Sequence, residues 1–165
     1  MSIINRISPC LWFDTQAEEA ANFYIGIFNN ASITRISRYG EAGFEFHQRP
    51  AGPVMVVEFV LDGQAFTALN GGPVFKFSEA ISFQINCDTQ AEIDHYWQQL
   101  GDGGPAEAQQ CGWLKDRFGV SWQVVPKVLG DMMTDADPVK VQKVTEVMLR
   151  MKKLDIAALQ HAYDS

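Results

Sequence analysis

Apolar and polar positions alternate along residues 6–13, where Ile7, Leu11 and Phe13 share one side, and again along 80–87, where Ile81, Phe83 and Ile85 do. A period of two predicts a half-buried strand in each place. Directly afterwards the period becomes helical. Ala17, Ala20, Ala21, Tyr24, Ile27 and Phe28 form one stripe, and Ile93, Tyr96, Trp97 and Leu100 form another. Asp14-Thr15 and Asp88-Thr89 supply capping oxygens, and Glu18 and Glu92 place a carboxylate at the positive end of each helix dipole. Asn29-Asn30 and the glycines of 101–104 stop the two helices. Strands are then predicted at 32–39, 53–61 and 64–69, with a turn at Asp62-Gly63. After the second helix they fall at 106–110, 113–116 and 120–125, with a turn around Arg117-Phe118-Gly119.

The two halves repeat each other. Asp14-Thr15-Gln16-Ala17-Glu18 recurs letter for letter as Asp88-Thr89-Gln90-Ala91-Glu92, a shift of 74 residues, and Ile7-Ser8 matches Ile81-Ser82 at the same shift. In the later strands Gly63 overlays Gly119, which sets Phe66 against Trp122 and Thr67 against Gln123. We read this as a duplicated module of strand, helix, then two or three strands. The fold class is α+β, with paired βαβββ modules over 1–126, at about 1–73 and 74–126. Residues 127–165 form a C-terminal helical extension. There Asp137-Pro138 is a strong helix start, with Val144, Val147, Met148 and Met151 on one face. Asp155 caps a last helix carrying Ile156, Leu159 and Tyr163. That apolar stripe packs on the protein's own sheet or on a partner subunit.

Composition narrows the function classes. Apolar residues make up 47% and charged residues 20%, as in ordinary globular proteins. No apolar run approaches the ~20 residues of a membrane-spanning helix, and Met1-Ser2-Ile3-Ile4-Asn5-Arg6 has no secretory pattern, so a cytoplasmic location is expected. A net charge of −7 and the absence of a basic stripe argue against nucleic-acid binding. Lys152-Lys153 sits near a helix end, where cations suit the dipole. Cys10, Cys87 and Cys111 are odd in number and form no Cys-x-x-Cys pair, so reduced thiols are expected.

Several segments carry a specific resemblance: Ala17-Glu-Glu-Ala-x-x-Phe-Tyr24, Phe66-Thr-Ala-Leu-Asn-Gly-Gly-Pro73, Cys111-Gly-Trp-Leu-Lys-Asp-Arg-Phe-Gly-Val-Ser-Trp-Gln-Val-Val-Pro126 and Met148-Leu-Arg-Met-Lys-Lys-Leu-Asp-Ile-Ala-Ala-Leu159. The chain resembles the vicinal-oxygen-chelate superfamily of glyoxalases, bleomycin-resistance proteins and extradiol dioxygenases. Within it the match is to the PhnB-like branch labelled 3-demethylubiquinone-9 3-methyltransferase. Residues 40 to 52 lie outside the match. The resemblance implies incurved sheets forming a half-open barrel around a small-molecule cavity, commonly in homodimers. Fold alone does not fix chemistry.

Metal-dependent relatives place ligands on the first and last strand of each module. Here those positions offer Arg6 or Ser8 and Ala80 or Ser82 on the first strands, and Thr67 (or Asn70) and Gln123 on the last. Hydroxyls and a carboxamide are weak ligands for Fe, Mn, Ni or Zn, so no catalytic metal is expected there. The overlaid strand faces carry Ser8, Cys10 and Trp12 in one copy and Ser82, Gln84 and Asn86 in the other, with Gln123 alongside. That set suits a ligand oriented by hydrogen bonds. Trp12, Phe66 and Trp122 are candidate aromatic walls, with ordinary core as the alternative. Cys10 reads as a buried structural thiol, because no base stands beside it. Glu58 interrupts Val54-Met-Val-Val-Glu-Phe-Val-Leu61 and has two readings. A carboxylate there must be paired, hydrogen-bonded or raised in pKa; it is a cavity acid, base or ligand anchor, or it is an edge-strand residue facing water. His47 reads as a surface residue in a glycine-rich stretch, and His95 and His161 as structural.

No cofactor is predicted. Gly101-Asp-Gly-Gly104 follows a helix rather than a strand, so it lacks the setting of an S-adenosylmethionine or dinucleotide turn. The leading expectation is a homodimeric small-molecule-binding protein, with metal-independent activity as an option. The alternatives are a metal-dependent lyase, isomerase or dioxygenase using Glu58 and His47, the labelled quinone methyltransferase, and drug sequestration without turnover.

Overall fold

The computed structural model describes residues 6–165, so the reading of the first five residues lies outside the described chain. The chain divides into two units, one ending at Phe77 and one running Ser78–Ser165. The first contains β1 (Cys10–Phe13), α1 (Ala17–Ile25), β2 (Ser32–Arg38), the short α2 (Phe44–His47), β3 (Val54–Leu61) and β4 (Gln64–Asn70). Its sheet runs β1-β4-β3-β2. β1 lies parallel to β4, and the other pairs are antiparallel. Asp62 and Gly63 both take positive φ, the tight turn whose twist matches the flanking strands.

One side of this sheet is closed by α1. Ala17, Ala20, Ala21 and Tyr24 are fully buried, and the Tyr24 ring stacks on Phe59. The helix starts as the repeat predicts, but its cap differs. Neither Asp14 nor Thr15 bonds the first turn. Instead Asn70, buried at the end of β4, accepts from Ala17 N at 2.8 Å and donates to the Val54 carbonyl at 3.1 Å. Asn70 therefore belongs to the helix side. In the second unit the predicted cap is present, with Thr89 and Glu92 forming a reciprocal capping box.

The second unit contains β5 (Phe83–Cys87), α3 (Gln90–Gly101), a 3₁₀ turn at Ala106–Ala108, β6 (Trp113–Lys115), β7 (Ser121–Pro126), α4 (Lys127–Met133), α5 (Pro138–Met148) and α6 (Ile156–Asp164). Its sheet runs β5-β7-β6, again with the first strand parallel to the last. The two registers test the duplication directly. Cys10 pairs with Thr67 in one unit, and Gln84 pairs with Gln123 in the other. Gln84 lies 74 residues after Cys10 and Gln123 lies 56 after Thr67, the two shifts read from the sequence. Independent overlays of the first and last strands thus meet at one ladder position.

Two further expectations need correction. Ile7 and Ile81 are exposed, because β1 begins only at Cys10 and β5 at Phe83. Pro9 can offer its carbonyl to Thr67 N but has no N–H to extend the ladder. The strand expected at 106–110 is a 3₁₀ turn followed by one bridge between Gln110 and Trp113. Cys111 and Gly112 turn there with positive φ, and their N–H groups donate to the carbonyls of Met151 and Lys152. The tail satisfies the groups a fourth strand would have used. Asp137 and Asp155 cap α5 and α6 as predicted. Leu129, Met132, Val144, Leu154 and Leu159 form the core beneath these helices, with Met148 and Met151 packed against it.

Candidate functional site

In each unit the helix covers one side of the sheet, and the alternate side chains emerge on the other. On that open side of the first sheet Cys10, Thr67, Glu58 and Arg35 lie in one row across β1, β4, β3 and β2. Cys10 is exposed rather than buried. Even so, the surrounding sheet removes enough water to push its thiol above the ordinary value, the opposite of what a nucleophile needs. Glu58 is on an interior strand, not an edge. Both its oxygens engage the Arg35 guanidinium, Nη2 at 2.9 Å from Oε1. That hydrogen-bonded pair holds its carboxyl below the usual range, so of the expected alternatives pairing, not a raised pKa, describes Glu58, an ionised partner of Arg35.

Trp12 stands one pleat further along β1. Its indole N–H donates to the Gly72 carbonyl at 2.9 Å, and its edge meets Phe75 at a ring separation of 5.0 Å. A Cβ on Gly71 would fall 2.1 Å from that indole, so glycine is required for the chain to pass the ring. Ser8 precedes β1 and is exposed.

The open side of the second sheet is more polar. Gln84, Gln123 and Trp113 form one row across β5, β7 and β6. Gln123 Nε2 donates to Ser82 Oγ at 2.8 Å, which joins the two positions singled out in this module. Asn86 lies opposite Val125. On the next same-side position Ser121 faces Lys115, whose ammonium pairs with Glu79. That ion pair holds the Glu79 carboxyl below its usual range. Ser121 is only 3% exposed, and its hydroxyl has no hydrogen-bond partner among the described residues. A buried polar group left in this way costs about 1–3 kcal/mol, so it stands out. The β6–β7 hairpin is fixed by buried Asp116, which accepts from Phe118 N at 2.8 Å, Val120 N at 3.0 Å and Trp122 Nε1 at 2.8 Å.

Phe66 and Trp122 do not line an open face. Phe66 stacks on Phe59 at 5.5 Å, and Trp122 is 2% exposed beside Phe83, so both belong to the helix-side core. Pairing decides this, because the strand period puts them on the opposite face from Thr67 and Gln123. Trp113, Lys115 and Ser121 were not singled out from sequence. The turn at Gly119 sets Trp113 opposite Gln123, so they were within reach of a hairpin count. His47 packs on Tyr39 at 4.7 Å. Its Nδ1 accepts from Arg49 N and its Nε2 donates to the Ala42 carbonyl, so backbone engages both nitrogens.

A transition ion at the family positions would have hydroxyls and one carboxamide as donors, with Ser82 and Gln123 already bonded to each other. That set does not fit such an ion. Among the described residues no three His, Cys, Asp or Glu side chains group to hold one. Gly101–Gly104 is the exit of α3: a Cβ on Gly104 would lie 2.1 Å from the Lys115 carbonyl, so the loop is packed on β6.

Comparison with known proteins places this geometry. The sequence profile of 3-demethylubiquinone-9 3-methyltransferase matches residues 5–125. The chain belongs to this family. It is 34% identical to a Bacillus cereus PhnB protein provisionally named a 3-demethylubiquinone-9 3-methyltransferase. That match covers 74% of this chain and 99% of the other, with a TM-score of 0.62. A Pseudomonas aeruginosa protein is 24% identical over 73% of this chain and 96% of its own, at a TM-score of 0.56. The fosfomycin resistance protein FosX of Listeria monocytogenes, complexed with Mn(II) and sulfate, shares the fold at 16% identity. It covers 79% of this chain and 96% of its own, at a TM-score of 0.51. No curated protein matches the sequence. The α+β fold of two small open sheets agrees with the fold shared with FosX. No helix among the described residues is long and apolar enough to cross a membrane.

Proposed function

We propose that this family member binds a small organic molecule on the polar open face of its sheets, without a transition ion at the four family positions. The observation that carries the reading is the Gln123–Ser82 hydrogen bond. It turns the place of two metal ligands into a neutral donor–acceptor pair suited to orienting a ligand. Gln84 and Asn86 extend that surface in the second unit. Ser8, Cys10, Trp12 and Thr67 provide a second such face, with Glu58 anchored by Arg35. Methyl transfer, which the family's name suggests, finds no support in the packed Gly101–Gly104 loop.

The test combines elemental analysis of untagged protein with a thermal-shift screen of small organic molecules on the wild type and Gln123→Ala. We expect substoichiometric Fe, Mn, Ni and Zn, and hits whose shift falls in the variant. A stoichiometric ion lost on Gln123→Ala would overturn the metal-free reading. Binding of S-adenosylmethionine below millimolar concentration, measured by calorimetry, would restore the methyltransferase. We further propose the homodimer that the resemblance implies and the cytoplasmic location expected from the sequence. Exposed Phe44, Phe46, Val74 and Phe75 support the first, which light scattering checks.

A further inference from the structure

We propose that the open face of β6–β7 carries an anion subsite, built by the Ser121 hydroxyl and the Lys115 ammonium, for the carboxylate of a small aromatic acid. In this arrangement the Lys115–Glu79 pair closes over the buried Ser121 hydroxyl, and the acid reaches it by displacing Glu79. The inference names the ligand class for the small-molecule reading above and rests on that reading.

Three features converge. Ser121 Oγ is buried and has no partner among the described residues, although an alanine would fill the position without stranding a polar group. Lys115 is directly opposite on the antiparallel ladder and on the same side, which sets the two Cβ atoms about 4.5–5.5 Å apart. Its side chain is three-quarters buried, whereas that of its partner Glu79 is 64% exposed, so the carboxylate reaches in from solvent. An ion pair with one exposed member is readily exchanged for another carboxylate.

The surroundings select an anion over a neutral or cationic ligand. Ser82 Oγ accepts from Gln123 and keeps its own proton to donate. With Ser121 and Lys115 this makes three donors, and the anion already paired with the lysine is Glu79. A metal or organic cation would meet the lysine charge. The aromatic preference comes from Trp113, half-buried on the same side of β6 and opposite Gln123, which offers a ring wall beside the donors.

The test uses the full chain and matched probes: benzoate, phenylacetate and 4-hydroxybenzoate, each against its amide, by thermal shift and calorimetry. Wild type is compared with Ser121→Ala, Lys115→Met and Glu79→Gln, with circular dichroism confirming that each variant is folded. An acid is expected to bind at least about tenfold more tightly than its amide, and to lose about tenfold in Ser121→Ala and in Lys115→Met. Glu79→Gln is on the exposed partner, and it should bind the acid several-fold more tightly, a gain that a merely structural ion pair would not produce. Equal binding of acid and amide, unchanged affinity in Ser121→Ala, or weaker binding in Glu79→Gln would each overturn the subsite. If neutral molecules bind while every acid fails on wild type and Glu79→Gln, the subsite falls and the small-molecule reading stands. If nothing in either screen binds any variant, both fall.

Discussion

Replacing Asp116 by alanine removes one buried carboxylate that organises the hairpin carrying Trp113, Lys115, Ser121 and Gln123. Its oxygens accept from Val120 N and Trp122 Nε1 in buried settings and from Phe118 N in a half-buried one. Phe118 N can find water after the change. The other two cannot, at about 1–3 kcal/mol each, for a loss of about 2–6 kcal/mol. Against a total stability of about 5–15 kcal/mol this is a large fraction. At about 2–4 °C per kcal/mol for a chain of this size, a central value of about 4 kcal/mol lowers Tm by about 8–16 °C. Asp116→Asn is milder: one oxygen still serves the two backbone donors, but its amide turns an N–H toward the Trp122 N–H. Removing that N–H with Trp122→Phe should relieve the clash. The double variant is then less destabilised than the sum of the two singles, by about 1–2 kcal/mol. Urea unfolding followed by circular dichroism reads this as midpoint shifts at constant slope. A loss under about 1 kcal/mol for Asp116→Ala, or strict additivity in the cycle, would refute the assignment.

Asn70→Ala should cost more than Thr89→Ala, because it strips the α1 cap and also orphans the Val54 carbonyl. We expect about 2–4 kcal/mol against about 1 in the same urea assay. Gly71→Ala drives a methyl into the Trp12 indole, so tryptophan emission should shift and Tm should fall while the α-helical signal persists. Tyr163 donates to Asp135, and that bond raises the phenol's pKa and lowers the carboxyl's. The Tyr163 contribution to stability is full below the ordinary phenol value of about 10 and disappears as pH rises through the raised folded value. The Asp135 contribution is full above about 3.9 and disappears as pH falls through the lowered one. Ultraviolet titration of Asp135→Asn should bring Tyr163 back toward its ordinary value, and an unchanged curve would count against the pair.

Local rules were enough to read the strand-to-helix alternation, the capped starts of α3, α5 and α6, the tight turn at Asp62-Gly63 and the duplication itself. Each rests on residues a few positions apart, or on identity between two stretches, and the ladder registers Cys10–Thr67 and Gln84–Gln123 meet where the two sequence shifts predict. What needed tertiary structure was the choice of face and of partner. Period alone gives two faces without saying which one the helix takes, so Phe66 and Trp122 were candidates for a cavity until α1 and α3 closed over their side. Glu58 was undecided for the same reason, since its cationic partner, Arg35, lies 23 residues away. The α1 cap from Asn70 and the tail's bonds to Cys111 and Gly112 join groups 53 and about 40 residues apart. A backbone group must be satisfied once buried, but the sequence does not specify which distant oxygen will reach it. The close approach of chain segments does.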